Sequence, residues 1–237
     1  MVVIITGASR GIGFATVKFF ARMKHFEIFA LSRNKAGLGQ LATECAGLNK
    51  SSRVHPMVFD LDEFLVNPGT ILKRLPREIR HIDILINNAG LLINKPFSDT
   101  SLEEVNRIFG VNCFAPAMLI HQLMPLMGNS GTTHVVNISS MGGFQGSQKF
   151  PGLTYYSASK AALACLTECL SEEFKDTCLV FNCLALGSVQ TEMLEEAFPG
   201  YKAQLQPEEM AEFIGYFALN GHKHMHGKII PVSITNP

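Results

Sequence analysis

An α/β fold, built on one doubly wound parallel sheet of about seven strands flanked by helices, is what this sequence predicts, and three observations carry the prediction. Short apolar, β-branched runs alternate with longer amphipathic stretches along the 237 residues, which is the mark of repeated strand–helix units. Several of the runs, Val2-Val3-Ile4-Ile5 and Ile84-Leu85-Ile86 among them, are apolar on both faces, so their sheet needs helices on both sides. Small and polar residues gather at the carboxyl ends of the runs, where such sheets bind ligands.

Taken in order, the expected strands occupy 2–6, 27–31, 54–60, 82–87, 133–138, 178–184 and 228–232. Helical patterns fall between them at 11–23, 36–48, 69–80, 102–127, 156–175 and 208–220. No internal repeat and no linker-like tract divides the chain, so residues 1–237 read as a single domain. Hydrophobic residues at 47% supply a large core, and a formal net charge of +0 gives no sign of a surface for nucleic acid or an acidic membrane. The six cysteines, Cys45, Cys113, Cys165, Cys169, Cys178 and Cys183, lie in apolar segments without zinc-ligand spacing and read as reduced, mostly buried residues of an intracellular protein. Met1 to Ile5 run straight into a glycine turn with no room for a leader, and no apolar run reaches membrane-spanning length. The expectation is a soluble, cytoplasmic protein.

The first strand leads into Thr6-Gly7-Ala8-Ser9-Arg10-Gly11-Ile12-Gly13, with glycines spaced G-x-x-x-G-x-G ahead of a helix. Glycine lets the backbone turn sharply and approach a pyrophosphate, and a helix start offers free N–H groups to the anion. The second strand ends at Ser32-Arg33, where an acid would bind the ribose hydroxyl of NAD. An arginine there, with Arg10 in the glycine loop, suits a 2′-phosphate and points to NADP(H). Asp60 and Leu61 follow the third strand, either to meet an adenine or, for Asp60, to cap the next helix. Asn87-Asn88-Ala89-Gly90 forms a small-residue turn over which a ribose and nicotinamide would lie, and Asn137-Ile138-Ser139-Ser140 brings hydroxyls to the same edge. Downstream, Tyr156 and Lys160 share one helix face. An ammonium beside a phenol lowers the phenol's pKa of about 10, which makes Tyr156 a better general acid.

With these motifs in this order, the chain resembles the short-chain dehydrogenase/reductase family over nearly its whole length, and so implies a Rossmann-type fold. The resemblance implies a catalytic tetrad of Asn112, Ser140, Tyr156 and Lys160, with Ser140 preferred to Ser139 as the second of its pair. It also implies a turn after the sixth strand that holds the nicotinamide amide, matched here by Gly187, Val189 and Thr191. Leu186 replaces the proline of that turn, and loss of its fixed φ is expected to loosen the turn. The C-terminal Gly227-Lys228-Ile229-Ile230-Pro231-Val232 departs from the family's Val-Asp-Gly-Gly ending.

The implied reaction is reversible hydride transfer between NADP(H) and a carbonyl, with Tyr156 as general acid. A non-catalytic NADP(H)-binding regulator is the alternative. Segments 91–97, 141–154 and 192–202 would wall the substrate with Leu91, Leu92, Phe144, Phe150, Leu153, Met193, Leu194 and Phe198, which suggests an apolar ketone or aldehyde. A 3-oxoacyl thioester, a pteridine-like compound and a diketone stay open. No nucleic acid, membrane or metal partner is expected, and His222, His224 and His226 read as a solvated loop. The family implies a homodimer or homotetramer paired through helices 102–127 and 156–175.

Overall fold

Strands β1 (Val2–Thr6), β2 (Glu27–Ser32), β3 (Arg53–Val58), β4 (Ile84–Asn87), β5 (Thr133–Ser140), β6 (Leu179–Leu186) and β7 (Lys228–Val232) pair in parallel in the order β3-β2-β1-β4-β5-β6-β7. Helices α1 (Gly11–Arg22), α2 (Lys35–Cys45), α3 (Leu61–Val66), α4 (Thr70–Arg74), α5 (Leu102–Phe109), α6 (Ala115–Leu123), α7 (Thr154–Glu173), α8 (Glu192–Ala197) and α9 (Pro207–Asn220) connect them. This computed structural model describes residues 1–234, apart from the side chain of Thr70. The strand order reverses between β1 and β4, and at such a point the strands' carboxyl ends open a crevice.

Side chains of β1 alternate between two cores. Val3 and Ile5 join Val17 and Phe20 of α1 and Ile214 of α9, whereas Val2 and Ile4 join Ile71, Leu119 and Leu123 on the opposite face. Each such side chain, when fully buried, contributes about 1.5–3 kcal/mol. Sandwiching the sheet this way fixes its carboxyl edge as a rigid rim.

Element ends differ from expectation for local reasons. Strands β5 and β6 each run two residues past the expected limit, because the pairs Ser139↔Ala185 and Ser140↔Leu186 continue the ladder. Asp60 accepts a bond from the Asp62 N–H at 2.9 Å and caps α3, and the helix expected at 69–80 is only α4, which ends just before Pro76. The expected helix 102–127 is one helical run, Leu102–Leu126, long and apolar enough to cross a membrane by length and composition, contrary to the sequence reading. It packs Leu119, Ile120 and Leu123 on the sheet and is interrupted by a π turn, Gly110–Phe114. Pro116 has no N–H to offer the Asn112 carbonyl four residues back, and the widened turn absorbs that loss. Helix α8, too short to show a clear period, escaped the sequence reading.

Candidate active site

A cavity of about 980 Å³ runs along the carboxyl edge, and every residue proposed from sequence as catalytic or cofactor-binding lines it except Asn112, which is fully buried beside it. At its floor, Gly7 and Gly11 have φ of +69° and +54°, conformations that glycine adopts at little cost. A Cβ on Gly13 would lie 2.3 Å from the Gly7 carbonyl oxygen and 2.5 Å from Asn88 Nδ2, so bare backbone lines the turn. Thr6 Oγ1 accepts bonds from the N–H groups of Asn88 and Ala89 at 3.1 and 3.0 Å, which locks the β4 turn against the glycine loop. The N-cap of α1 is Arg10, whose guanidinium turns to Glu196, so no N-cap side chain takes the first-turn N–H groups of α1, and Gly11, Ile12 and Gly13 of that turn line the cavity. This cradle fits the pyrophosphate of a dinucleotide.

Toward the β2 end, Ser32 donates to Ser9 Oγ at 2.8 Å, and Arg33 lies exposed, 3.9 Å from Asp62. Arg10 forms two bonds to Glu196 of α8, at 2.5 and 3.3 Å. The two arginines expected to bind a 2′-phosphate therefore each have a carboxylate neighbour that sequence reasoning missed. Charge pairs between distant loops leave no local pattern to read.

At the other end, α7 presents Tyr156 and Lys160. Lys160 Nζ is buried and donates to the Ile138 carbonyl at 2.8 Å, and burial pushes its pKa down to about 8. Tyr156 is hydrogen-bonded to Ser140, and burial raises its pKa while that bond acts in the opposite direction. The expectation of a phenol pKa held below its usual value is thus corrected: burial decides the net direction, and the ammonium's hydrogen bond goes to a backbone carbonyl. Ser139 donates to the Lys160 carbonyl at 2.8 Å and ties β5 to α7, whereas Ser140 lines the cavity and accepts from the Gly142 N–H at 3.2 Å.

Asn112 grips Leu91 at both backbone atoms, accepting from its N–H at 2.7 Å and donating to its carbonyl at 2.9 Å, and donates to Ser159 of α7 at 2.9 Å. Beside it, a Cβ on Gly90 would come within 3.4 Å of Lys160 Nζ and 3.6 Å of Asn112 Oδ1. A second buried chain went unread: Asn87 donates to Asn137, which donates to Thr167, which donates to the Leu163 carbonyl. It fastens β4 and β5 to α7 directly beneath the site.

The turn after β6 is held tightly although it lacks proline. Gly187 N–H donates to the Val232 carbonyl at 2.9 Å, Gln190 N–H to the Leu205 carbonyl at 2.8 Å, and Leu186 sits buried between β5 and β7. Neighbouring backbone thus supplies restraints at the turn where the proline is missing. Cys165, Cys169 and Cys178 are exposed, which corrects the reading of a mostly buried set. The histidines of 222–226 diverge: His222 faces His134 at 5.6 Å between rings, and His226 bonds the Ser171 carbonyl at 2.7 Å.

Against known proteins, the family model for short chain dehydrogenases matches residues 1–202. The chain belongs to the short-chain dehydrogenase family. This short-chain dehydrogenase is 31% identical over 195 residues to mouse dehydrogenase/reductase SDR family member 7B, a match covering 81% of this chain and 58% of the mouse protein. It is 27% identical to the NADP-dependent 3-hydroxy acid dehydrogenase of Schizosaccharomyces pombe, covering 94% and 88% of the two chains. A solved structure from Beutenbergia cavernae, assigned as an NAD(P)-dependent gluconate 5-dehydrogenase and holding NADP at low occupancy, superposes with a TM-score of 0.85 at 27% identity. That match covers 98% of this chain and 94% of the other. As a member of this family, the short-chain dehydrogenase is an oxidoreductase that uses a nicotinamide cofactor.

Proposed function

We propose that this chain is an NADPH-dependent carbonyl reductase. The observation that carries the reading is a single cavity with Arg10 and Arg33 at one end and Ser140, Tyr156 and Lys160 at the other. The glycine loop and the α1 N-terminus would hold the pyrophosphate, Arg10 and Arg33 the 2′-phosphate, and Gly187, Val189 and Thr191 the nicotinamide end. When bound, the nicotinamide supplies the hydride accepted by the carbonyl carbon.

Ser140 donates a hydrogen bond to the substrate oxygen and stabilises the negative charge that develops there. Tyr156 gives its proton to that oxygen. A phenol whose pKa is held up by burial stays protonated until an alkoxide forms, so the raised value suits an acid waiting in the ground state. The Lys160 charge stabilises the phenolate left behind. Asn112 holds the Leu91 backbone in place and would hold a water that links Lys160 to solvent, so that Tyr156 is reprotonated. Reduction is the working direction, since cells keep NADPH mostly reduced. The same reading has a cytoplasmic homo-oligomer paired through the helices that carry Asn112 and Tyr156, which light scattering would size.

The test is NADPH oxidation by purified protein over a panel of ketones and aldehydes, repeated with Tyr156→Phe. Turnover lost in the variant, with NADPH binding kept, is the expected result. Binding without turnover in the native protein would favour a nucleotide-binding regulator instead.

A further inference from the structure

The substrate half of the cavity is walled by Leu91, Leu92, Leu153, Met193, Leu194 and Phe198. Among the described residues that line the cavity, the cations are Arg10, Arg33 and Lys160. None serves the substrate half. Arg10 is paired with Glu196, Arg33 stands beside Asp62 at the far end, and buried Lys160 donates to Ile138. A carboxylate drawn into this half would lose its water and meet no counter-charge, which is a severe cost.

The outer side of the same wall adds a second obstacle. Helix α8 turns Met193 and Leu194 toward the cavity together with the exposed Glu192, while Glu195 and Glu196 stay exposed away from it. Arg10 pairs with one of these three, which leaves two α8 carboxylates without a cation of their own, while the Lys149 ammonium sits on the opposite wall against Ser147 and the Phe144 carbonyl. A substrate docked against α8 itself would set an anionic group, such as the phosphates of coenzyme A or the acidic surface of a carrier protein, beside these carboxylates.

We infer that the substrate is an uncharged, apolar ketone or aldehyde free in solution, and that keto acids and coenzyme A or carrier-bound thioesters are rejected. This rests on the reductase reading. The step is balanced by NADPH becoming NADP⁺: its hydride forms the new C–H bond, and the Tyr156 proton forms the new O–H bond as the C=O π bond breaks.

The experiment compares matched pairs in an NADPH-oxidation assay: 4-methylacetophenone against 4-acetylbenzoate, and ethyl acetoacetate against acetoacetyl-coenzyme A. The expected kcat/KM is at least about 100-fold higher for each neutral member. Leu194→Arg, which places a cation on the wall, should raise kcat/KM for 4-acetylbenzoate at least about tenfold. Equal or faster turnover of the charged members overturns the substrate class and leaves the reductase reading intact. No turnover of any compound by protein that binds NADPH overturns the reductase reading, and the substrate class falls with it.

Discussion

Arg10 and Glu196 clasp each other, the guanidinium donating through both terminal nitrogens to both carboxylate oxygens. One residue belongs to the glycine loop and the other to α8, so the pair joins the cofactor's cradle to the substrate's wall. The bond lifts the Arg10 pKa further and lowers that of Glu196. A 2′-phosphate that uses Arg10 must compete with this carboxylate. Exposed ion pairs are worth up to about 1 kcal/mol, so Glu196→Gln should tighten NADPH binding about two- to fivefold and leave NADH binding unchanged, as titration calorimetry would show. Arg33→Ala should weaken NADPH alone.

Lys160 titrates near the working range. Burial holds its pKa at about 8, below the usual lysine value, so the ammonium that supports Tyr156 is lost as pH rises through that point. The kcat/KM for reduction should therefore be level below about pH 7 and decline above 8. Tyr156→Phe should lower kcat by about 10²–10⁴ at every pH.

His134 makes stability depend on acid. Its Nδ1 donates to the Ala218 carbonyl at 2.8 Å and its Nε2 accepts from Asn182 at 3.0 Å, an arrangement that requires a neutral ring. Burial pushes its pKa down to about 4, while an unfolded chain would bind the proton near 6.5. The folded state therefore carries fewer protons between these values, and its stability is full above about 6.5 and falls as pH drops toward 4. The loss is about 2 kcal/mol on going from pH 7 to pH 5, and urea unfolding at the two pH values would measure it. His134→Gln should flatten the dependence.

Gly13→Ala tests the cradle. Its Cβ would meet the Gly7 carbonyl and the Asn88 side chain, both fixed by hydrogen bonds, so α1 must shift away from β4. A stability loss of about 1–3 kcal/mol is expected, and the melting temperature reads it. Cofactor affinity should fall at least about tenfold, because the same shift moves the N–H groups that face the pyrophosphate.

The strands and the long helices were legible because each carries its own apolar period, and Val2–Thr6 followed by the glycine turn could hardly be anything else. The residues at the strand ends were legible for the same reason: a parallel sheet places them all on one rim. What escaped depends on pairs far apart in sequence. Glu196 beside Arg10, Asp62 beside Arg33, and the Asn87–Asn137–Thr167 chain are tertiary partnerships with no local signature. The direction of the Tyr156 shift was misjudged because proximity on a helix face says nothing of how far the fold withdraws each group from water, and here Lys160 is buried and Tyr156 half-buried.

Asn112 holds the Leu91 backbone with one side chain and α7 with the same amide, so the turn after β4 and the helix bearing Tyr156 share a single rivet. The loops that wall the substrate hang outside that rivet. Met193, Leu194 and Phe198 are therefore open to replacement without disturbing the residues that Asn112 ties together, and a laboratory seeking new specificities from this scaffold can redraw the wall while leaving the machine alone.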